Sequence, residues 1–310
     1  MSESRPHSFE PTVEQIAAMI SVLGDDRGPL QRSAHDRLLS WGERAIEQLR
    51  EGAEAEHMPT RARCRALLRA IEVRGAVARL GNLRLDSVGQ ASAPVLLEGA
   101  VLAAHVVRTF VPATKALAAR LRREAAALRR ACAGRSLPVC ARLLVDRLHG
   151  GLGLRGCEHE LLDIDHQLLV DEIFDDSSVN RDLLDCVLID RVLANREGAP
   201  VALSLIYLLV ARWAGLSAAG VALPDHFLIR LHGPRPLLLD PFYGGRVVTK
   251  SDCVRYLRRN GYERPGDHLR DLNDREVLVR YLQTLRVAGR RRAPAAHAAL
   301  TAALDSLQVD

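Results

Sequence analysis

Hydrophobic positions fall into two textures along the chain. In the first half they recur three and four residues apart, the helical period. Val13, Ile16, Ala17, Ile20 and Leu23 share one face, and the run stops at Gly24. Ala34, Leu38 and Trp41 mark a second helix over residues 31–41, ended by Gly42, and residues 43–49 a third. Residues 60–71 turn Ala62, Leu67, Leu68 and Ile71 inward, with Thr60 expected as the N-cap. Helices rich in Ala, Leu and Arg are predicted over 96–107, 114–132 and 137–148.

After Ser177 the texture changes. Residues 182–195 predict one helix with Leu183, Val187, Ile189, Val192 and Leu193 on its apolar face, broken at Gly198. The longest apolar run, 199–209, contains Pro200 and Ser204 and gives way to Arg212. It is too short to span a membrane and reads as a buried helix over about 201–213, ended by Gly215. Three β-prone runs follow, 219–223, 226–231 and 236–240, with tight turns at Pro224-Asp225 and Gly233-Pro234. Residues 269–307 return to helix. The expected fold class is α+β, mostly helical, with a central helix packed on a small antiparallel sheet.

Charge changes this picture little. The 310-residue chain has a formal charge of +5, and all but Lys115 and Lys250 of its 43 basic residues are Arg. These alternate with acids along helices, the pattern of a solvated face. Arg290, Arg291 and Arg292 form the one run, beside Gly289 and Pro294, and read as a loop. With aromatic residues at 4%, stacking platforms for bases are scarce, so a nucleic-acid partner is disfavoured. The polar start, with Glu3, Arg5 and Glu10, is not a signal peptide, and no segment suits a membrane; the expected location is the cytoplasm. Six cysteines (Cys64, Cys132, Cys140, Cys157, Cys186, Cys253) lie far apart without a CxxC. That spacing fits neither a zinc site nor a disulfide framework, so they are expected to be buried, reduced and inert.

Two further motifs yield to plain readings. Gly151, Gly153 and Gly156 spell GxGxxG, but an amphipathic helix precedes them where a dinucleotide site needs a strand. They read as a Gly-rich turn. Residues 157–176 carry eight acids and no Lys or Arg. His159 and His166 with Cys157 and Asp163 or Asp165 are metal-ligand types, but at no ligating spacing, so the stretch reads as a solvated acidic insertion. No metal and no cofactor is expected.

The informative constellation is His226 opening one expected strand and Asp240 closing the next. On adjacent antiparallel strands behind a buried helix, the two can meet near the helix N-terminus. The segments "NREGAPVALSLIYLLVARWAGL", "VALPDHFLIRL" and "LLLDPFYGG" carry a family resemblance, supported by "LLEGAVLAAHVV", "LHGGLGLRG" and "SSVNRDLLDCVL". They resemble the SirB-one family, bacterial proteins with a transglutaminase-like (papain-like) core of the second type. "RSAHDRLLSWGERAIEQL" resembles a HEAT-type helical repeat, with a weaker copy from Thr60. The expected organisation is a HEAT-like region (1–75), a SirB-one-type helical region (76–156), the acidic insertion (157–176), the transglutaminase-like core (177–260) and C-terminal helices (261–310).

In active transglutaminase-like enzymes a Gly-x-Cys starts the central helix, followed by a His base and an orienting Asp; the resemblance to the SirB-one family implies that Pro at the Cys position is usual. His226 and Asp240 match that His and Asp, and Phe227, Pro241 and Phe242 flank them in the family's motifs. The Gly is Gly198, but the nucleophile position holds Pro200. Ser204, one turn further on, is the nearest replacement nucleophile; Cys186 stands beside Asp185, whose charge raises a thiol pKa. Two functions follow. One is a non-catalytic binding or regulatory module for a protein or peptide partner, its oligomeric state left open. The alternative is a hydrolase or acyltransferase on peptide or amide bonds, using His226 and Asp240 with Ser204 or a water.

Overall fold

Among the described residues, the first of two compact units, Met1–Ala76, holds α1 (Val13–Leu23), α2 (Gly28–Trp41), a 3-10 turn (Gly42–Ala45), α3 (Ile46–Gly52) and α4 (Met58–Gly81), whose last residues belong to the second unit. The computed structural model describes residues 10–25, 28–85, 92–109, 111–157, 183–224, 226–290 and 294–308. The α1 N-terminus is closed by a capping box between Thr12 and Gln15. Ile16, Ile20, Leu23, Leu38, Leu49, Cys64, Leu67 and Ile71 form this unit's core. Thr60 does not cap α4, contrary to the sequence expectation. The helix begins at Met58, with Pro59 in its first turn where a missing N–H costs nothing, and the Thr60 hydroxyl bonds His57 Nδ1 at 2.8 Å.

The second unit, Val77–Asp310, holds the remaining elements. In chain order they are α5 (Ala93–Val107), α6 (Thr114–Cys132), α7 (Leu137–Val145), β1 (Arg155–Gly156), α8 (Leu183–Val187), α9 (Ile189–Asn195), β2 (Glu197–Gly198) and α10 (Pro200–Ala214). Then come β3 (Ala218–Leu223), β4 (His226–Leu231), β5 (Leu237–Asp240), β6 (Arg246–Val248), α11 (Lys250–Arg259), α12 (Asp274–Gly289) and α13 (Pro294–Gln308). The α+β class holds: helices dominate, and β3-β4-β5-β6 form an antiparallel meander. The single helix expected over 182–195 is two, α8 and α9, with extended backbone at Leu188. The Val187 carbonyl at the break accepts a hydrogen bond from the Tyr281 hydroxyl at 3.1 Å, a partner outside the helix. The strand β6 was not legible in three residues after a Gly-Gly turn.

The GxGxxG glycines make a turn and a short parallel pairing. A π-helical turn, Asp146–Gly151, leads through Gly153 (φ +70°) into β1, which pairs with β2. Gly156 has to be small because a Cβ there would stand 2.7 Å from the Phe242 ring and carbonyl. Residues 158–176 of the acidic stretch, with its metal-ligand types His159, His166, Asp163 and Asp165, lie outside the described residues, as do Arg291 and Arg292. No helix among the described residues is long and apolar enough to cross a membrane.

All fifteen residues of α10 are buried. Helices α5, α6 and α12 and strands β3 and β4 pack around it. Pro200 starts it, where its fixed φ is already helical, and Gly215 (φ +96°) ends it. Full enclosure makes the one charge in the helix expensive. Arg212, with no exposed surface, meets Asp274, also fully buried, through Nη1 at 2.7 and 2.9 Å. Its Nε donates to the Ala218 carbonyl at 3.0 Å, and Nη1 also reaches Ser92 Oγ at 3.4 Å.

A buried pair is most costly when half of it is removed. Asp274→Asn is expected to destabilise the protein by about 3–5 kcal/mol. The double change Arg212→Met with Asp274→Leu should recover at least half of that loss. Urea unfolding of the two variants beside the parent checks both outcomes.

Candidate functional site

Strand register determines how the two informative side chains meet. Ile229 pairs with Leu239 across β4 and β5, so Asp240 lies opposite Leu228 and diagonal to His226 on the same face of the sheet. A diagonal neighbour is reachable only by the far nitrogen of an imidazole. His226 Nε2 donates to Asp240 Oδ1 at 2.9 Å. Asp240 is buried, while the His226 side chain keeps 15% of its surface. In the neutral ring, with the Nε2 proton directed at the carboxylate, Nδ1 is an acceptor; in the charged ring both nitrogens donate.

Asp240 is held from several sides. Oδ1 also accepts from the Tyr243 backbone N–H at 3.2 Å, and Oδ2 receives Arg246 at 3.3–3.4 Å. Burial alone would push this carboxyl up. The hydrogen bond and charge of His226, the Tyr243 amide and Arg246 outweigh it and hold the group below its ordinary value. Arg246 also lies over the Tyr243 ring at 4.5 Å. Phe242 meets His226 edge-on at 6.0 Å, and Tyr243 is tilted against it at 5.6 Å. The turn from β5 to β6 closes through Gly245 N–H to the Asp240 carbonyl at 2.8 Å. Gly244 and Gly245 take φ of +73° and +71° there, and a Cβ on Gly245 would stand 2.6 Å from Val145 Cγ2.

The central helix runs alongside β4 in the same direction. Ser204 Oγ donates to the Phe227 carbonyl at 3.0 Å near its start; Arg212 reaches Ala218, the strand partner of Leu231, near its end. Pro200, one turn before Ser204, therefore belongs to the His226 end of the layer. Gly198 is packed against Val192 and Leu203, either of which a Cβ would meet within about 3 Å. The Phe227 ring lies against Gly220, and its carbonyl faces α10. Pro241 and Phe242 are buried at the turn, where Phe242 also covers Gly156. Ser204 is fully buried, and its hydroxyl is committed to a backbone acceptor rather than to His226.

The cysteines form contacts that their spacing did not announce. Cys157 and Cys186 flank the residues just before Pro200: Cys157 N–H donates to the Gly198 carbonyl at 3.1 Å, and Ala199 N–H to the Cys186 carbonyl at 2.7 Å. The thiol of Cys186 and then burial push the Cys157 thiol well above its ordinary value. Burial and the neighbouring Cys140 push Cys132 up to about 12, and burial raises Cys64 and Cys253. Such thiols are poor nucleophiles. Sequence reasoning missed Tyr243 and Arg246, although "FYGGR" places both within reach of the Asp240 turn.

A helix behind an antiparallel meander, with a His and an Asp joined on neighbouring strands, agrees with the family comparison. The model of the transglutaminase-like superfamily matches residues 112–283, more than half of the chain. The chain belongs to the transglutaminase-like superfamily. The matched segment runs from just before α6 into α12, so the central helix, the meander, His226 and Asp240 all lie within the transglutaminase-like part. The UPF0162 protein of Xylella fastidiosa strain Temecula1 / ATCC 700964 is 36% identical over 104 residues, covering 31% of this chain and 37% of that protein. The UPF0162 protein of strain 9a5c matches to the same extent. The chain thus spans 37% of the length of these curated relatives. No solved structure matches it.

The lowered carboxyl of Asp240 carries a pH signature. Its contribution to stability is fully present above the ordinary carboxylate value, about pH 4, and is lost as pH falls through the lowered folded value. Asp240→Asn is therefore expected to cost about 1–3 kcal/mol at neutral pH. It should also flatten the loss of stability on acidification. Urea midpoints measured from pH 7 down to pH 3 on both proteins test the sign.

Proposed function

We propose that this protein is a non-catalytic member of the transglutaminase-like superfamily, of the SirB-one type, that binds a protein or peptide partner in the bacterial cytoplasm. In this reading the first helices act as a HEAT-like region in front of the transglutaminase-like core. The observation that carries it is Pro200. Its side chain offers no nucleophile where the central helix begins, at the end of the layer where His226 and Asp240 stand. The alternatives are weak on chemical grounds. Ser204 is buried and its hydroxyl is already engaged, and the resolved thiol shifts all run upward, away from thiolate.

What remains is suited to recognition. His226 Nδ1 can accept an N–H, and Asp240 holds the ring in that tautomer. Tyr243, 43% exposed, and Arg246 stack beside it, an aromatic-arginine pair of the kind that anchors protein interfaces. An extended peptide has neutral N–H donors for the imidazole and flat surface for the tyrosine. One observation favours the second reading, a hydrolase: a 2.9 Å His–Asp hydrogen bond is also what a general base acting on water requires.

The two readings separate in one set of measurements. A pool of N-acetylated, C-amidated tripeptides is titrated against the full chain while His226, Tyr243 and Arg246 are followed by NMR and amine release is assayed. Binding should move these signals with no amine released, and iodoacetamide and fluorophosphonate probes should leave the folded protein unlabelled. Tyr243→Ala should weaken binding about 5- to 30-fold, the range of a truncated aromatic anchor (about 1–2 kcal/mol). Amine release that disappears in His226→Ala would overturn the binding reading in favour of hydrolysis.

A further inference from the structure

Helix α11 lies on the face of the meander that carries His226 and Asp240. Its Cys253 and Leu257 pack with Val221, Leu223, Leu228 and Leu238. Strand alternation puts Leu228 on the side of His226 and Leu238 on the side of Asp240. The Tyr256 hydroxyl donates to the Pro224 carbonyl at 3.2 Å, just ahead of His226 in the chain. At its other end α11 follows closely on Arg246, which holds the Asp240 carboxylate. The outer surface of the helix therefore adjoins the candidate site.

That surface borders a groove of about 720 Å³ lined by Lys250, Ser251, Val254, Arg255, Arg258 and Arg259. These residues form two neighbouring rows at the i,i+4 spacing of a helix, 250-254-258 and 251-255-259. Each row carries two cations, all of them exposed, and neither carries an acid. Among the described residues Lys250, Arg258 and Arg259 make no ion pair. Arg255 meets Asp252 at 3.5 Å, but that carboxylate is already bonded to the Thr249 amide and hydroxyl at 3.1 and 2.6 Å. Val254 is half-buried against the core beneath the helix and gives the groove an apolar floor.

Concentrated cations without local counter-charges favour an anionic ligand. Its kind follows from the spacing and the lining. From position 250 to 259 the rows extend about 13 Å, as far as about four residues of extended peptide. Guanidinium forks match carboxylates spaced along such a chain. No aromatic ring lines the groove, so it offers bases no stacking platform. A membrane surface would need large apolar side chains projecting beside the cations, and the groove has only the half-buried Val254.

We propose that the α11 groove binds an extended acidic segment of a partner polypeptide, its carboxylates paired with Lys250, Arg255, Arg258 and Arg259. The proposal rests on the peptide-binding reading for the class of partner and deepens it. The acidic segment flanks the part of the chain held at His226 and Tyr243.

The test titrates the 15N-labelled full chain with N-acetylated, C-amidated hexaglutamate, with the matching hexaglutamine, and with an oligothymidylate of equal length. Hexaglutamate should move the amide signals of residues 250–259 and the Arg258 and Arg259 side-chain N–H signals saturably, and hexaglutamine should not. Arg258→Gln with Arg259→Gln should weaken that binding about 3- to 30-fold, the range for losing two exposed ion pairs. Arg123→Gln with Arg130→Gln removes the same charge from exposed positions of α6 and should leave the affinity unchanged. Oligothymidylate binding as tightly as hexaglutamate would overturn the proposal in favour of a nucleic-acid surface. Equal weakening in the two double variants would overturn it by showing a response to net charge alone. So would an equal response to hexaglutamine, or the absence of a saturable shift at residues 250–259. The tripeptide pool reports at His226 and Tyr243, so a response kept at one place and missing at the other tells which of the two readings has failed.

Discussion

A charge inside a helix with no exposed side must bring its counter-ion with it, and Arg212 does so from three directions. Asp274 opens α12, where the helix dipole already favours a carboxylate. Ala218 opens β3, and Ser92 precedes α5. One guanidinium thus ties together three of the elements that enclose the C-terminal half of the central helix. The desolvation it suffers is recovered only when all of them are in place, so the interaction selects one arrangement more than it adds stability.

The site inherits its geometry from that arrangement. With β3 anchored at Ala218, the meander fixes β4 by pairing Leu231 to Ala218, and β5 by pairing Leu239 to Ile229. His226 and Asp240 then fall into a diagonal relation that only Nε2 can bridge. The turn into β6 adds the Tyr243 amide and Arg246 to the same carboxylate, and left-handed glycines let the chain reverse tightly enough to do it. Distance along the sequence hides this chain of dependence; strand register makes it short.

Much of this was legible beforehand because it depends on period and punctuation. The buried helix announced itself by an apolar run between Pro200 and Gly215, and the strands by turns at Pro224 and Gly233. His226 and Asp240 were legible as a pair because both mark strand ends. Failures came where a tertiary partner overrides a local pattern. The break at Leu188 accompanies a hydrogen bond between Val187 and Tyr281, ninety-four positions away. Thr60 had cap chemistry, but Pro59 moved the helix start upstream of it. The thiol contacts were invisible because Cys157 and Cys186 are brought together by β1, β2 and the start of α10, which spacing cannot encode. Arg246 and Tyr243 look like ordinary loop residues until the Gly-Gly reversal returns them to Asp240.

The His226–Asp240 pair has a structural role independent of catalysis. Asp240 accepts from an imidazole on β4, an amide within its own turn and a guanidinium on β6. Its backbone carbonyl closes the reversal through Gly245. A carboxylate with that many donors is a structural centre for two strands and a turn, and its buried charge needs each of them. His226 supplies a 2.9 Å bond to that centre while its side chain keeps 15% of its surface. None of these contacts involves Pro200, so the network that holds the pair does not depend on a nucleophile there. The result is an imidazole fixed by a buried carboxylate, with Phe242 and Tyr243 against its ring and Arg246 on the same carboxylate.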